Sequence, residues 1–240
     1  MQKLAKKIRQ GTHLSAIILA AGSGSRMGTE QTKQWIQLRG VPVVLRTLLA
    51  FERCDEVQDI VLVARLDELE DYPPLLARYG ITKISKIVPG TTTRQGSAMQ
   101  GLRAVKKESD YIAIHDAARC LVTPDIIHRV ALDAYIYGAA AAAAPAKDTV
   151  KLTDAAGFVK NTTERAQTFL VQTPQIFRAE IYRAAAYTAQ EDGFTGTDDA
   201  SLAEHCSFPV KLTDCGYQNI KITTREDMAI ASVYLRERGE

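Results

Sequence analysis

The chain has 240 residues, enough for one large α/β domain or a domain with an appendage. Its 46% hydrophobic and 24% charged content is ordinary for a globular protein, and no apolar run approaches the roughly 20 residues of a membrane span. A formal charge of +2 argues against a general nucleic-acid footprint, so any positive potential must be local.

Met1 to His13 is basic but lacks an apolar centre, so it reads as a frayed extension rather than a secretory signal. Next comes an apolar run from Ala16 to Ala21 without polar alternation, the pattern of a fully buried parallel strand. It stops at a turn carrying Gly22, Gly24 and Gly28, followed by Arg26 and Lys33. Glycines let a backbone approach a phosphate, exposed N–H groups cradle it, and the cations neutralise it. The segment therefore reads as a triphosphate-binding loop, although it matches neither G-x-x-x-x-G-K-[ST] nor G-x-G-x-x-G. On the glycines alone, a turn that packs a helix closely on a sheet is an equal reading.

Further along, short apolar runs alternate with helical patterns, as βα units of a parallel sheet do. Strands are predicted at 15–20, 59–64, 84–88, 111–115, 139–144 and 208–213, with a short one near 219–222. Helices are predicted at 43–53, 67–79, 95–106, 124–136, 179–189, 198–204 and 224–237. Pro124 falls at a helix start, where its missing N–H costs nothing. Between Asp148 and Thr173 the alternation lapses. There, 150–152 and 158–160 flank the turn-rich 153–157, a hairpin projecting from the sheet. The fold class is thus α/β, a Rossmann-like, open and mostly parallel sheet flanked by helices, with a projecting β-arm. No linker or repeat divides the chain, so 1–240 reads as a single domain with its arm at about 148–172. Cys54, Cys120, Cys206 and Cys215 are scattered without metal-ligand spacing, which suits reduced thiols of a cytosolic protein.

The first loop, L-A-A-G-S-G-x-R-M-G followed by K-Q, resembles the signature of nucleotidyltransferases that activate sugars and polyols. Further matches follow in order: PGTTTRQGSAMQGL (89–102), IHDAARCLV (114–122), PAKDTVKLTD (145–154), VQTPQIFR (171–178), TDDASLAE (197–204) and NIKITTREDM (219–228). Together they resemble the 2-C-methyl-D-erythritol 4-phosphate cytidylyltransferase family, of the non-mevalonate isoprenoid pathway. The resemblance implies a nucleotide-diphospho-sugar transferase fold, CTP as substrate, Mg²⁺ or another divalent cation, and a cytoplasmic homodimer formed through the arm. No nucleic-acid or membrane partner is implied. In the implied reaction a polyol phosphate attacks the α-phosphorus of CTP and pyrophosphate leaves. Catalysis is then positioning plus charge neutralisation.

Residue by residue, the resemblance gives Arg26 the β- and γ-phosphates and Lys33 the α-phosphate, with a solvated surface lysine as the other reading of Lys33. Lys221 becomes a second neutralising lysine, and Gly22 and Gly24 belong to the loop itself. Ala20 and Ala21 line a cytosine pocket read by Gly90, Thr91 and Ser97; Ser97 would otherwise cap a helix. Asp116 is the metal-associated, ribose-side carboxylate and Arg119 its partner, a pair that also reads as a loop-closing ion pair. Thr149 and Arg165 bind the polyol phosphate across a dimer interface, or else are surface groups of a solvated arm. Thr173 and Thr197 lie near the polyol. Asp198 and Asp199 order their loop, ligate a metal, or in the case of Asp199 favour a helix N-terminus. His115 reads as a packed side chain rather than a catalyst. Three positions depart from the family: Thr32 for proline, Trp35 for tyrosine or phenylalanine, and Cys120 for proline. The alternatives in function are a ribitol 5-phosphate cytidylyltransferase and a catalytically silent nucleotide-binding regulatory protein.

Overall fold

A computed structural model of the chain describes residues 11–22, 32 and 34–240. The predictions made for residues 1–10 and for Gly24, Gly28, Arg26 and Lys33 lie outside the described residues. Strand β1 (Leu14–Leu19) is buried along its whole length. Its side chains alternate between two cores, with Leu14, Ala16 and Ile18 entering one and Ile17 and Leu19 the other. A short hairpin, β2 (Gln37–Leu38) and β3 (Val41–Pro42), leads into α1 (Val43–Glu52). Then follow β4 (Val57–Ala64), a 3₁₀ turn (Leu66–Asp71) running into α2 (Tyr72–Arg78), β5 (Ile84–Pro89) and α3 (Arg94–Ala104). Next come β6 (Tyr111–Asp116), α4 (Pro124–Tyr137), β7 (Ala139–Pro145), and the hairpin β8 (Lys151–Thr153) and β9 (Val159–Thr162). The chain closes with β10 (Phe169–Arg178), α5 (Ala179–Glu191), α6 (Asp199–His205), β11 (Lys211–Asp214) and α7 (Arg225–Glu237).

Seven strands form one sheet in the order β11-β7-β10-β6-β1-β4-β5. The pairs β1–β4, β1–β6, β4–β5 and β7–β11 are parallel, while β10 is antiparallel to both β6 and β7. Helices cover both faces, so the parallel strands are doubly buried and read as continuous apolar runs. In one such contact α3 crosses β1 at Gly101, where an added Cβ would come within 2.4 Å of Ile17 Cγ2. Helix ends are closed locally. Thr93 caps α3 and Thr123 caps α4, Pro124 sits in the first turn of α4, and Gly138 ends it in the left-handed region.

Four expectations need correction. The predicted helix over 67–79 is a 3₁₀ turn and a short helix, because Pro73 and Pro74 lack the N–H groups of a continuous first turn. The strand expected at 208–213 begins later, at Lys211, because Pro209 cannot donate to a ladder. Residues 219–222 form no strand. Asn219 spends its side-chain amide on Gln172 Oε1 and the Thr173 carbonyl, and the Ile222 N–H donates to the Ala118 carbonyl, so these are tie points rather than a ladder. Finally, the lapse in alternation between Asp148 and Thr173 overlaps β10 (Phe169–Arg178), an interior strand that no predicted strand covers. Pro174 is tolerated because it falls where the pairing with β7 is interrupted, between Val171 and Gln175.

The hairpin lies as expected, with Asp154 Oδ1 accepting from the Ala156 and Phe158 N–H groups to build its turn. Its apolar side chains are not covered by the rest of the chain: Leu152, Phe158 and Val159 are exposed, as are Leu170 and Val171 at the start of β10. Cys54, Cys120 and Cys215 are buried free thiols. Burial pushes Cys54 and Cys215 up to about 11, so neither is a thiolate near neutral pH. Among the described residues, no helix is long and apolar enough to cross a membrane.

Candidate active site

Parallel strands end together, and here their carboxyl ends open onto a cavity of about 690 Å³. Ala21 and Gly22 follow β1, Arg65 follows β4, Gly90 and Thr91 follow β5, and Asp116 ends β6. Lys221 enters from the irregular segment before α7.

The walls nearest β5 are fitted closely. An added Cβ at Gly90 would come within 2.3 Å of the Ala21 Cβ and 2.9 Å of Ser97 Oγ, so only glycine lets these two loops meet. Ser97 Oγ accepts from the Thr91 N–H at 2.9 Å and sits in the first turn of α3, whose cap is Thr93. The capping reading of Ser97 is therefore corrected: its hydroxyl shapes the Gly90–Thr91 loop instead. Ala20 is buried beneath this wall and does not line the cavity.

Asp116 is the electrostatic centre. Lys221 Nζ lies 2.6 Å from Oδ2 and Arg94 Nε 3.0 Å from Oδ1. Burial alone would raise its pKa, but the Arg94 and Lys221 charges hold the carboxyl far below the ordinary range. Arg94 reaches further, placing Nη1 2.8 Å from Oδ2 of Asp199 at the start of α6. Burial alone would lower its pKa; Asp199 and Asp116 reverse the sign and hold the guanidinium firmly charged. One nitrogen of Arg94, Nη2, is buried without a partner among the described residues.

Beneath this centre the support is neutral. The Asp116 N–H donates to Thr173 Oγ1 at 3.1 Å, and that hydroxyl is also 3.1 Å from His115 Nδ1. Burial pulls His115 down to about 3, so the ring is neutral near physiological pH. It is a packed, hydrogen-bonded side chain, as the sequence reading expected. Arg119 forms no ion pair with Asp116 among the described residues; it donates to the Asn219 carbonyl at 3.0 Å, tying the β6 loop to the segment that carries Lys221. Cys120, where the family has proline, is buried in a turn closed by the bond from the Val122 N–H to the Arg119 carbonyl. Gln175 Nε2 donates to Asp198 Oδ2, and its Oε1 accepts from the Ala200 N–H. Asp198 thus caps α6, and Asp199 pairs with Arg94 and accepts from the Tyr182 hydroxyl.

The structure therefore brings Ala21, Gly22, Gly90, Thr91, Ser97, Asp116 and Lys221 to one cavity. Arg119 and Thr173 stand behind it as supports. Thr149, Arg165 and Thr197 are exposed and outside it. The other two departures from the family pattern also find partners: the Thr32 hydroxyl donates to Glu68 Oε1 at 2.7 Å, and the Trp35 ring lies 4.9 Å from that of Tyr72.

A family profile described as 2-C-methyl-D-erythritol 4-phosphate cytidylyltransferase matches residues 14–237. The chain belongs to that family. A cytidylyltransferase of this name from Pelotomaculum thermopropionicum is 43% identical over 227 residues, covering 94% of this chain and 95% of the relative. One from Caldanaerobacter subterraneus is 39% identical over 226 residues, covering 94% and 100%. The crystal structure of 4-diphosphocytidyl-2C-methyl-D-erythritol synthase from Anaerococcus prevotii superposes with a TM-score of 0.86 at 33% identity, covering 96% of this chain and 99% of that one.

Arg94 is the residue that sequence reasoning missed. It stands inside the quoted segment 89–102, but nothing local marks it, because its partners Asp116 and Asp199 lie far along the chain. The available signal was the carboxylates: two aspartates expected at one buried edge need a cation between them.

Proposed function

We propose that this chain transfers the cytidylyl group of CTP to 2-C-methyl-D-erythritol 4-phosphate, releasing pyrophosphate in isoprenoid precursor biosynthesis. The observation that carries the reading is the Asp116 centre, a carboxylate gripped by Lys221 and Arg94 beside the fitted Gly90–Ser97 wall. Cytosine sits against that wall, where Ala21, Gly90, Thr91 and Ser97 frame its edges and Ala20 backs them. The triphosphate runs past Gly22, and sequence correspondence alone makes Arg26 and Lys33 its cations and Gly24 part of its binding segment.

An oxygen of the polyol phosphate attacks the α-phosphorus, the bond to the β-phosphate oxygen breaks, and pyrophosphate leaves with the electron pair. Charge builds on non-bridging oxygens. Lys221 is the described cation best placed to meet it, since its ammonium already faces the cavity and exchanges a carboxylate for a phosphoryl oxygen. Arg94 keeps Asp116 ionised and in place while Lys221 shifts.

A divalent cation fits as a shared ligand rather than a caged one. No group of three or more His, Cys, Asp or Glu side chains is arranged to hold a metal among the described residues. Magnesium needs only one or two carboxylates when substrate phosphates complete its shell, and Asp116 supplies one. Bound there, it would withdraw charge from the phosphoryl oxygens. Asp116 would hold the ion, and the buried bond to Thr173 fixes the carboxylate's backbone.

The polyol half is assembled between two copies. The chain is a single nucleotidyltransferase domain whose arm, at about 148–172, pairs with a second copy through Leu152, Phe158 and Val159. Thr149 and Arg165 are then delivered to the partner's cavity, where threonine and a bidentate arginine suit a phosphomonoester. Arg119, Thr173 and Thr197 complete the polyol side. Uncovered apolar side chains on the arm and exposed Thr149 and Arg165 support this arrangement. The reaction belongs in the cytoplasm and needs neither nucleic acid nor membrane.

The test is pyrophosphate release with CTP and Mg²⁺, offering methylerythritol 4-phosphate and ribitol 5-phosphate in parallel. Release with the first alone is expected. Release with ribitol 5-phosphate alone keeps the chemistry and overturns the acceptor, and silence with both overturns the transferase reading.

A further inference from the structure

Leu66 is 74% exposed, more than any other large apolar side chain among the described residues, yet it lines the cavity. An isolated surface leucine needs no explanation, but this one stands at the mouth of a ligand site on a braced turn. Arg65 donates to the Asp67 carboxylate from Nε at 3.0 Å and from Nη2 at 2.6 Å. Its Nε also lies 3.5 Å from Glu68 Oε1, and the Glu68 N–H closes the turn on the Arg65 carbonyl at 3.1 Å. From the other side Thr32 donates to Glu68. The turn that carries the leucine is braced by these five polar contacts, and the leucine joins none of the apolar cores.

Its position along the sheet says what it would meet. The strand order β6-β1-β4-β5 places the turn after β4 next to the Gly90–Thr91 loop, with β1 between it and Asp116. Neighbouring strands are about 4.8 Å apart, so Leu66 belongs to the base end of the cavity and not to the phosphate end. Gly90, Thr91 and Ser97 offer polar groups suited to the edges of a ring, and small side chains leave its face bare. A pyrimidine has an apolar face that gains from being covered. We infer that Leu66 is the outer wall of the nucleoside subsite, closing over the exposed face of the cytosine of CTP. This rests on the cytidylyltransferase reading above and adds to it a residue that contacts the nucleotide.

Calorimetric titration of the full chain with CTP and Mg²⁺ tests it, comparing wild type with Leu66→Ala and Leu66→Met. Removing the exposed isobutyl group should weaken CTP binding about fivefold, as the loss of part of one apolar contact does. Leu66→Met should bind within about twofold of wild type, because it restores the covering volume. The thermal midpoint should not move in either variant, since the side chain packs against nothing in the core. CTP binding by Leu66→Ala equal to wild type overturns the inference and leaves the function standing. Equal losses in Leu66→Ala and Leu66→Met also overturn it, since the turn and not the apolar cover would then be responsible. Failure of the wild-type protein to bind CTP overturns the function and the inference together.

Discussion

Two buried aspartates mark opposite edges of the same sheet and are satisfied in different ways. Asp59, beside Ser15 at the start of β1, is closed mainly by short, fixed groups. Ser15 Oγ donates to it at 3.0 Å and Ser85 Oγ at 3.1 Å, His13 Nε2 meets it directly, and Lys106 stands off at 3.6 Å. Asp116, beside Leu19 at the other end of β1, has no hydroxyl on its carboxylate in the described structure, only two long cations facing a cavity. The carboxylate sealed in the sheet is held by short donors that cannot leave. The one at the cavity is held by charges that can be shared with an arriving anion.

Three experiments sharpen or break that contrast. Lys221→Ala should lower turnover roughly 100- to 1,000-fold, the cost of removing a positioned charge from a phosphoryl-transfer site. Its unfolding free energy should change by about 1 kcal/mol or less, because Arg94 still satisfies Asp116. Near-normal turnover would remove Lys221 from the chemistry. Asp59→Ala should show the reverse pattern, losing about 2–3 kcal/mol in denaturant titration as its donors are orphaned. Turnover per folded molecule should then stay within about twofold of wild type, and a large loss would erase the distinction between the edges.

The smallest effect is a pH dependence. Burial pushes the Asp59 pKa up, but the hydrogen bonds from His13 and Ser15 outweigh it and leave the pKa lowered. A carboxyl depressed on folding contributes stability that is complete above its unfolded pKa and lost as pH falls through its folded one. The stability gap between wild type and Asp59→Asn should therefore be constant above about pH 5 and narrow below about pH 4. A gap that widens with acid would mean that Asp59 is not held as the ionised acceptor of these bonds.

Most of the sheet was legible because parallel strands buried on both faces leave continuous apolar runs, as at 59–64 and 111–115. Even the alanines of β7, a residue type that favours helices, were readable as a strand from their place in the alternation. β10 was not, since Gln172, Pro174 and Gln175 interrupt any apolar run. Those glutamines look outward in sequence but are buried in fact, bonded to Asn219, Gly216 and Asp198. At the site, the loops that follow the strands were legible from the strand ends, and Gly22, Gly90 and Asp116 line one cavity. Arg94 was not legible, as its meaning comes from two partners that only the closed sheet brings within reach. The arm was legible as a hairpin from its turn residues, with Asp154 building the turn.

The run of methyl groups in β7 sets a rule for variation in this part of the molecule. Ala139 to Ala144 are buried on both faces, between β10 and β11, with the layers of α4 and α5 closing on either side. A strand without larger side chains has no rotamers with which to absorb a change, so an added methylene must be taken up by moving a helix. Substitutions here should be tolerated only in compensated sets, a larger residue in the strand appearing with a smaller one on the facing helix. The alanine strand thus acts as a spacer whose thickness is heritable only together with its neighbours.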